Sequence, residues 1–386
     1  MNEPARQAEA RILARADLGV LIAHLKANGY NVIGPTVREA AIGYHAIASA
    51  DDLPIGWTEA QQGGSYRLQP REDKAVFGFT VGPNSLKSFL LPAEVSLFQA
   101  RREGRGWKIL HPQAAKPQRF AFFGIRPCDL RAMATQDRVL QGGPYVDAVY
   151  RARRDGAFLV AVNCGQAAST CFCTSMGSGP RADAGFDLAL TELLDPGRHA
   201  FLVEAGSDAG RQVLAALPSA AASIADVQAA QACTDRAAAQ IGRSLNTEGL
   251  PELLAASMEH ASWDEVAHRC LSCGNCTQVC PTCFCTTATD TTDLSGDAME
   301  RTRRWDSCFS IEYSHIHGGS VRPSARARYR QWMTHKLGTW VAQFGSSGCV
   351  GCGRCITWCP VGIDLTVQAR VLREAAAAQG GEHGDA

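Results

Sequence analysis

Two short cysteine runs in the C-terminal third of the chain have the residue type and the spacing to bind metal. They lie at 270–281 and 349–360, and each reads C-x2-C-x2-C-x3-C-P. This is the spacing of bacterial ferredoxins, in which three neighbouring thiolates hold one 4Fe–4S cluster and the cysteine before proline ligates the other cluster. The predicted ligands are Cys270, Cys273, Cys276, Cys280, Cys349, Cys352, Cys355 and Cys359.

The two-cluster rule assigns each fourth ligand across the runs. The first cluster would be held by Cys270, Cys273, Cys276 and Cys359. The second would be held by Cys349, Cys352, Cys355 and Cys280. The separation of the runs by residues 281–348 is longer than in a compact ferredoxin, which leaves the exchange of fourth ligands open.

Two other uses of cysteine compete with this interpretation. A zinc site usually takes its four ligands as two separated pairs. A disulfide framework is typical of small secreted domains. Two runs with identical ferredoxin spacing favour clusters over both alternatives.

Composition indicates an ordinary globular protein. The chain has 386 residues, 46% of them hydrophobic, with 38 basic and 38 acidic side chains. This length allows two or three domains, and a balanced charge gives no reason to expect nucleic acid or membrane binding. The N-terminus lacks signal-peptide features, and no apolar run is long enough to span a bilayer. Sixteen cysteines then point to metal or redox chemistry in the cytoplasm.

The N-terminal part is predicted to be an α/β domain. The apolar runs 120–125 and 158–163 are typical of buried strands, and 9–28 is predicted to be a helix with its apolar face in the core. The Gly-rich stretch 56–70 is predicted to be a surface loop. Sites in such domains gather beyond the carboxyl ends of strands, where Cys128 and Cys164 lie.

Four N-terminal cysteines lie outside the ferredoxin runs: Cys128, Cys164, Cys171 and Cys173. They could hold a third cluster or a zinc ion. Alternatively they are buried thiols that behave as small hydrophobic residues. A flavin site is a further possibility for this domain, although no G-x-G-x-x-G follows a strand and opens a helix.

The sequence predicts four segments: an α/β domain at 1–220, a helical linker at 221–262, a mostly α-helical ferredoxin-like dicluster domain at 263–375 and a disordered tail at 376–386. The dicluster domain contains the long insertion 281–348. The insertion holds Cys283, Cys285 and Cys308, which are either neighbours of the clusters or, as we favour, core thiols.

A basic stretch at 301–336 allows three interpretations. Its basic residues are Arg301, Arg303, Arg304, Arg322, Arg326, Arg328, Arg330 and Lys336. They could stabilise the negative charge of a cluster, dock an acidic partner subunit, or form a solvated face. RNA binding has little support because aromatic residues are not interleaved as stacking platforms.

Long motifs carry a family resemblance. In the C-terminal part these are CLSCGNCTQVCPTCFCT at 270–286, WDSCFS at 305–310, RYRQWMTHK at 328–336 and GCVGCGRCITWCP at 348–360. In the N-terminal part they are GIRPCDL at 124–130 and TCFCTSMGSGP at 170–180. Together they resemble the iron–sulfur β subunit of cytoplasmic nickel–iron hydrogenases of the sulfhydrogenase type and the electron-transfer subunit of the anaerobic sulfite reductase.

The resemblance implies an electron-transfer subunit with two 4Fe–4S clusters in a hetero-oligomeric redox complex. In that family, other subunits carry the nickel–iron centre, the flavin and the NAD(P) site. The chain itself shows no nucleophile–base arrangement and no nucleotide loop, so we expect a non-catalytic subunit. The resemblance implies that its complex is an NAD(P)-linked hydrogenase. The alternatives are the corresponding subunit of a sulfite reductase, a flavin enzyme in its own right and, least favoured, a structural zinc protein.

Overall fold

Strands and helices alternate along the chain in a computed structural model that describes residues 9–110 and 118–381, with side chains described through 378. The strands are β1 (Arg11–Ala14), β2 (Asn31–Arg38), β3 (Ala41–Ala46), β4 (Trp57–Gln62), β5 (Ser65–Pro70), β6 (Glu94–Glu103), β7 (Gly106–Leu110), β8 (Phe120–Ile125), β9 (Phe158–Val162), β10 (Leu188–Asp195), β11 (Arg198–Ala205), β12 (Ser219–Ala221), β13 (Thr286–Thr292), β14 (Ala298–Trp305), β15 (His315–Ile316) and β16 (Gly319–Ser320). The helices are α1 (Leu18–Ala27), α2 (Lys87–Leu90), α3 (Pro127–Leu140), α4 (Ala148–Arg154), α5 (Asp208–Ala215), α6 (Ile224–Ala239), α7 (Leu250–Ala256), α8 (Ser262–Arg269), α9 (Asn275–Gln278), α10 (Ala325–Thr334), α11 (Trp340–Phe344), α12 (Arg354–Thr357) and α13 (Leu365–Gly381). Short 3₁₀ turns lie at Arg15–Asp17, Ala50–Asp52 and Cys173–Met176, and a π-helical turn lies at His335–Thr339.

An eight-stranded mixed sheet forms the centre of the N-terminal half. Its strand order is β12-β1-β11-β10-β9-β8-β2-β3. The inner pairs β2–β8, β8–β9 and β9–β10 are parallel, and the outer pairs are antiparallel. Every residue of β8 and β9 is buried, which confirms the predicted buried strands. This architecture confirms the predicted α/β class of the N-terminal part.

Apolar layers cover both faces of the large sheet because successive strand residues point to opposite sides. Phe123 and Val160 belong to one buried cluster, which also contains the apolar face of α1. Phe122 and Leu159 belong to the other, together with Leu130 of α3. Because the inner strands are parallel, their carboxyl ends lie at the same edge of the sheet. The cysteine-bearing loops begin at this edge.

The predicted helix over 9–28 is wrong in its first half. Arg11–Ala14 is β1, which pairs antiparallel with β11 and with β12. Leu13 lies opposite Phe201 in that pairing and is fully buried, so sheet contacts override the helical propensity of this segment. The predicted apolar face of the helix, from Leu18 to Leu25, is buried as expected.

A smaller sheet joins the insertion to the N-terminal half. Its antiparallel order is β13-β14-β6-β7, so two strands of the insertion extend a hairpin that precedes residue 111. The region that the sequence predicts to be mostly α-helical therefore also contains a β-hairpin, Thr286–Trp305. Threonine and charged residues recur along both of its strands, a pattern without apolar periodicity, which is why sequence reasoning missed them.

A third apolar cluster organises the C-terminal region. It contains Trp263, Trp332, Met333 and Leu372 together with Phe172 from the N-terminal half, and cysteines of both runs pack against it. Helix α13 continues to Gly381, so the tail predicted from 376 begins inside this helix, and 382–386 lie outside the described residues. Within the described ranges, no helix combines the length and the apolar composition needed to cross a membrane.

The predicted linker 221–262 divides between two packing environments. Helix α6 places Ala230 in a buried cluster with Leu193 and Leu202 of the large sheet. Helix α7 places Leu250 and Leu254 in the C-terminal apolar cluster. Each helix of this segment thus packs against a different core.

Candidate metal centre

The two cysteine runs fold in the same way. Gly274 and Gly353 both have φ of +76°, and each immediately precedes a short helical turn, α9 or α12. Residues with a Cβ rarely adopt this left-handed conformation. The turn then carries the third cysteine of each run, Cys276 or Cys355. Equal spacing in the sequence therefore produces equal local geometry.

A cavity between the runs is lined by the thiols predicted for the first cluster. Its lining includes Cys270, Cys273, Cys276 and Cys359. Cys359 belongs to the second run, and its thiol interacts electrostatically with those of Cys270 and Cys276. The donor set is thus four thiols from both runs, which is the chemistry that a 4Fe–4S cluster requires.

The thiols predicted for the second cluster combine three cysteines of the second run with one of the first run. The thiols of Cys349, Cys352 and Cys355 each interact electrostatically with that of Cys280, which comes from the first run. Burial raises the pKa of all three of these thiols. The structure therefore places the fourth cysteine of each run with the first three of the other, as the two-cluster rule requires.

Two buried lysines face the second set. Lys336, in the π-helical turn, donates to Cys280 Sγ at 3.3 Å and to the Gly348 carbonyl at 3.2 Å. Lys87 donates to the Thr277 and Gln278 carbonyls at 3.1 and 2.9 Å and interacts electrostatically with Cys280. Among the described residues, neither lysine forms an ion pair with a carboxylate. An uncompensated buried ammonium is costly, so these charges suit an anionic group held by thiolates.

The described ion pairs of the basic stretch join its arginines to carboxylates. Arg301 pairs with Asp290 at 2.6 Å, and Arg303 pairs with Asp147. Arg326 and Arg330 both contact Glu259, at 3.1 and 3.0 Å. These arginines match the interpretation of charges unrelated to a cluster, whereas Lys336 contacts a predicted ligand. Nothing in the sequence marks Lys87 as part of this centre, because it lies 190 residues before Thr277, whose carbonyl it contacts.

Aromatic side chains line one part of the first cavity, whose Cys273 is exposed. Tyr329, Trp332 and Phe309 line it. The Tyr329 hydroxyl and the Trp332 Nε1 are buried and have no hydrogen-bond partner in the described part of the chain. Buried donors normally have acceptors, and cluster and thiolate sulfurs would supply them. The cavity therefore fits a sulfur-rich group.

Three insertion cysteines interact with one another and with predicted ligands. The Cys283 thiol hydrogen-bonds to Cys280 and lowers the pKa of the Cys280 thiol. A hydrogen bond from Cys308 lowers the pKa of Cys285 to about 6, and Cys308 also interacts with Cys276. These contacts bring the insertion cysteines next to predicted ligands, and their interpretation as core thiols stays a prediction.

The hairpin β4–β5 packs against the end of the second run. The Gly64 amide donates to the Ile356 carbonyl at 3.1 Å, and Tyr66 stacks on Trp358 with ring centroids 5.2 Å apart. The prediction of a surface loop at 56–70 is wrong, because these residues form a two-stranded hairpin. Their side chains are mostly polar and show no apolar alternation, so no strand pattern was visible in the sequence. This hairpin positions the helical turn that carries Cys355.

Of the four other N-terminal cysteines, three lie beside the second run, and Cys164 interacts electrostatically with two of these, Cys171 and Cys173. Cys128 belongs to a buried cluster with Val350 and Cys352. Cys171 and Cys173 flank Phe172, whose amide donates to the Gly351 carbonyl at 2.9 Å. All sixteen cysteines are free thiols. No three His, Cys, Asp or Glu side chains in the described ranges are grouped to hold one metal ion.

The fold and the paired thiol sets define a class, the iron–sulfur proteins of the dicluster ferredoxin type. Residues 269–363 match the family model described as a 4Fe-4S dicluster domain. The chain is also 34% identical over 259 residues to the sulfhydrogenase 2 beta subunit of Pyrococcus furiosus, which covers 66% of this chain and 75% of that relative. The chain belongs to the family of this beta subunit. No solved structure matches it significantly.

Proposed function

We propose that the chain is an electron-transfer subunit whose two 4Fe–4S clusters relay electrons between partner subunits of an oxidoreductase complex. The observation that carries the proposal is the crossed arrangement of the fourth cysteines. Cys359 lies with the first run and Cys280 with the second. Two complete thiol sets in contact are suited to passing an electron from one centre to the next.

The clusters, when bound, supply reversible one-electron oxidation and reduction. Cys270, Cys273, Cys276 and Cys359 would hold one, and Cys280, Cys349, Cys352 and Cys355 the other. The two sets adjoin, because Cys355 interacts with Cys276 and also lines the first cavity.

The surrounding side chains would tune these centres. Tyr329, Trp332 and Phe309 give the first cavity an aromatic wall. Lys336 and Lys87 place positive charge beside Cys280. Both charge and hydrogen bonds to sulfur raise cluster potentials, so the protein environment favours electron acceptance at the second set.

The proposed complex is a nickel–iron hydrogenase linked to NAD(P). The support is the family, since the Pyrococcus relative is named as a subunit of a sulfhydrogenase. In this proposal the flavin, the nicotinamide site and the hydrogen-activating centre lie on partner subunits. Sixteen free cysteines suit a reducing compartment, so we place the complex in the cytoplasm.

The test uses the complex purified anaerobically with its native partners, as wild type and as a Cys273→Ser variant. The variant should still reduce a viologen dye with hydrogen but should lose most NAD(P)⁺ reduction, because serine is a poor ligand for iron in a cluster. The matched control is Cys233→Ser, since Cys233 is a buried cysteine outside the runs.

Three results would overturn the proposal. The first is a Cys273→Ser complex with undiminished NAD(P)⁺ reduction. The second is a complex that reduces sulfite and lacks hydrogenase activity, which would identify the sulfite reductase alternative. The third is flavin bound to this chain when it is separated from its partners, which would make the chain an enzyme in its own right.

A further inference from the structure

Cysteines from separate segments meet at the carboxyl edge of the large sheet. Cys128 lies in the first turn of α3, directly after β8, and Cys164 lies two residues after β9. These strands are parallel neighbours, so their ends lie side by side. Cys171 and Cys173 come from the loop that begins after Cys164.

The four thiols form one group, in which Cys128, Cys171 and Cys173 are buried and Cys164 is half-buried. Cys173 interacts electrostatically with Cys164, and Cys171 interacts with both of them. Cys128 interacts with Cys173. A Cβ on Gly179 would lie 3.4 Å from both Cys173 Sγ and Pro127 Cβ, so the cysteine loop packs against the start of α3. Four thiols with no disulfide among them are a donor set for soft metal chemistry.

A buried cation faces this group. The Arg126 side chain is 1% exposed and contacts the Cys164 thiol. Its Nη2 donates to the carbonyls of Phe77 and Phe79, and its Nε has no hydrogen-bond partner in the described part of the chain. Carbonyls solvate a guanidinium but do not neutralise its charge.

Two carboxylates lie near Arg126, and one of them, Glu59, interacts electrostatically with its guanidinium. The other, Asp129, forms an ion pair with Arg354 at 2.8 Å. Glu59 accepts hydrogen bonds from Thr80 and Gln61, and burial raises its pKa. The N-terminus of the 14-residue helix α3 adds a partial positive charge at Cys128. Glu59 offsets part of the positive charge of Arg126, and thiolates on a metal cluster would add to that balance, which neutral thiols cannot do.

We propose that Cys128, Cys164, Cys171 and Cys173 bind a third iron–sulfur cluster beside the one held by the second run. A cubane has four irons, so each thiolate can bind its own iron, which suits thiols that do not converge on one ion. Cys352 interacts electrostatically with Cys128, Cys171 and Cys173, so it adjoins both sets.

The third centre would extend the relay into the N-terminal half of the chain. One electron would leave the reduced second-run cluster and enter the oxidised third cluster, with no bond made or broken. This role rests on the proposed function, but the existence of the site does not. The hydrogen bond that Arg126 donates to Cys164 and the dipole of α3 would both favour the reduced form.

The first measurement is iron, acid-labile sulfide and zinc per chain in the anaerobically purified wild type. We expect about twelve irons, as three cubanes require. About eight irons, or one zinc ion that replaces the third cluster, would overturn the proposal. This count decides the matter even if no variant folds.

The second measurement locates the extra iron. A double variant, Cys171→Ser with Cys173→Ser, should lose about four irons and one component of the reductive titration. Cys164→Ser should show the same loss, and it replaces a less buried cysteine. Cys233→Ser is a stringent control, because the Cys233 thiol interacts electrostatically with Cys164 but is not a proposed ligand, and this variant should keep all the iron. Iron retained in the folded double variant would place the extra cluster elsewhere.

Failure of this proposal is distinct from failure of the two-cluster relay. If the relay is wrong, Cys273→Ser keeps its iron while the double variant loses it. If the third site is wrong, Cys273→Ser loses iron while the double variant does not. Each result removes one proposal and leaves the other standing.

Discussion

Arg354 and Asp129 form a fully buried ion pair, with Nη1 and Oδ1 2.8 Å apart and side-chain exposures of 0% and 1%. Arg354 lies between Cys352 and Cys355 of the second run, and Asp129 follows Cys128. The guanidinium also donates to the Gly82 carbonyl at 2.9 Å. The pair therefore connects the candidate cluster centre to the N-terminal sheet.

Asp129→Asn should destabilise the protein by about 3–5 kcal/mol, because removing one partner leaves the other charge buried and unpaired. The measurement is the midpoint of anaerobic urea unfolding, followed by the visible absorbance of the clusters. Glu374→Gln is the control, because it removes the exposed pair of Glu374 with Arg370 and should not move the midpoint measurably. An equal midpoint for Asp129→Asn and wild type would contradict the structural role of the pair.

The crossed ligands can be tested by combining variants. Cys270→Ala with Cys273→Ala should remove the first-run cluster and about four irons. On that background, Cys359→Ala should remove no further iron, whereas Cys280→Ala should remove about four more. The reason is that Cys359 lines the cavity of the first set, while Cys280 interacts with the second. Iron analysis and electron paramagnetic resonance of the reduced protein give the counts. If each run instead held its own cluster, the effects of Cys359→Ala and Cys280→Ala would be reversed.

Gly353 and Gly274 form a matched pair for a steric test. Both have φ of +76°, so alanine at either position loses about 1–2 kcal/mol to the left-handed conformation. At Gly353, however, a Cβ would lie 2.5 Å from the Thr170 carbonyl oxygen, whereas at Gly274 the nearest atom is the Ser307 hydroxyl, 3.1 Å away. We therefore expect Gly353→Ala to lower the urea midpoint clearly more than Gly274→Ala does. Equal effects would show that Gly353 is needed only for its positive φ and not for the close approach to the Thr170 carbonyl.

The sequence correctly predicted the elements that are marked by a pattern within their own residues. The ferredoxin spacing identified both runs, and continuous apolar residues identified β8 and β9. The N-terminal helix was predicted too long because its first residues pair with β11, a partner almost two hundred residues away. The hairpin β13–β14 was missed because its residues show no apolar alternation.

The surroundings of the metal centre depend on contacts that no single segment encodes. Lys87 contacts the Thr277 carbonyl, 190 residues along the chain, and nothing near Lys87 in the sequence marks it. Lys336 was one of many basic residues in its stretch, and only its position in the fold separates it from Arg301 or Arg330, which pair with carboxylates. The fold, by bringing distant segments together, decides which charge meets a cluster.

Lys336→Met should lower the reduction potential of the cluster that Cys280 helps to hold. Reduction adds negative charge to a cluster, and the buried ammonium 3.3 Å from Cys280 Sγ stabilises that charge. Methionine keeps the apolar stem and removes the charge, so the potential should fall by tens of millivolts. The measurement is an anaerobic potentiometric titration followed by electron paramagnetic resonance, with iron analysis to show that both clusters remain. Arg330→Gln is the control, since Arg330 pairs with Glu259 and should leave both potentials unchanged. A Lys336→Met protein with full iron content and an unchanged potential would show that this ammonium does not act on the cluster, and that its hydrogen bond to the Gly348 carbonyl is its main role.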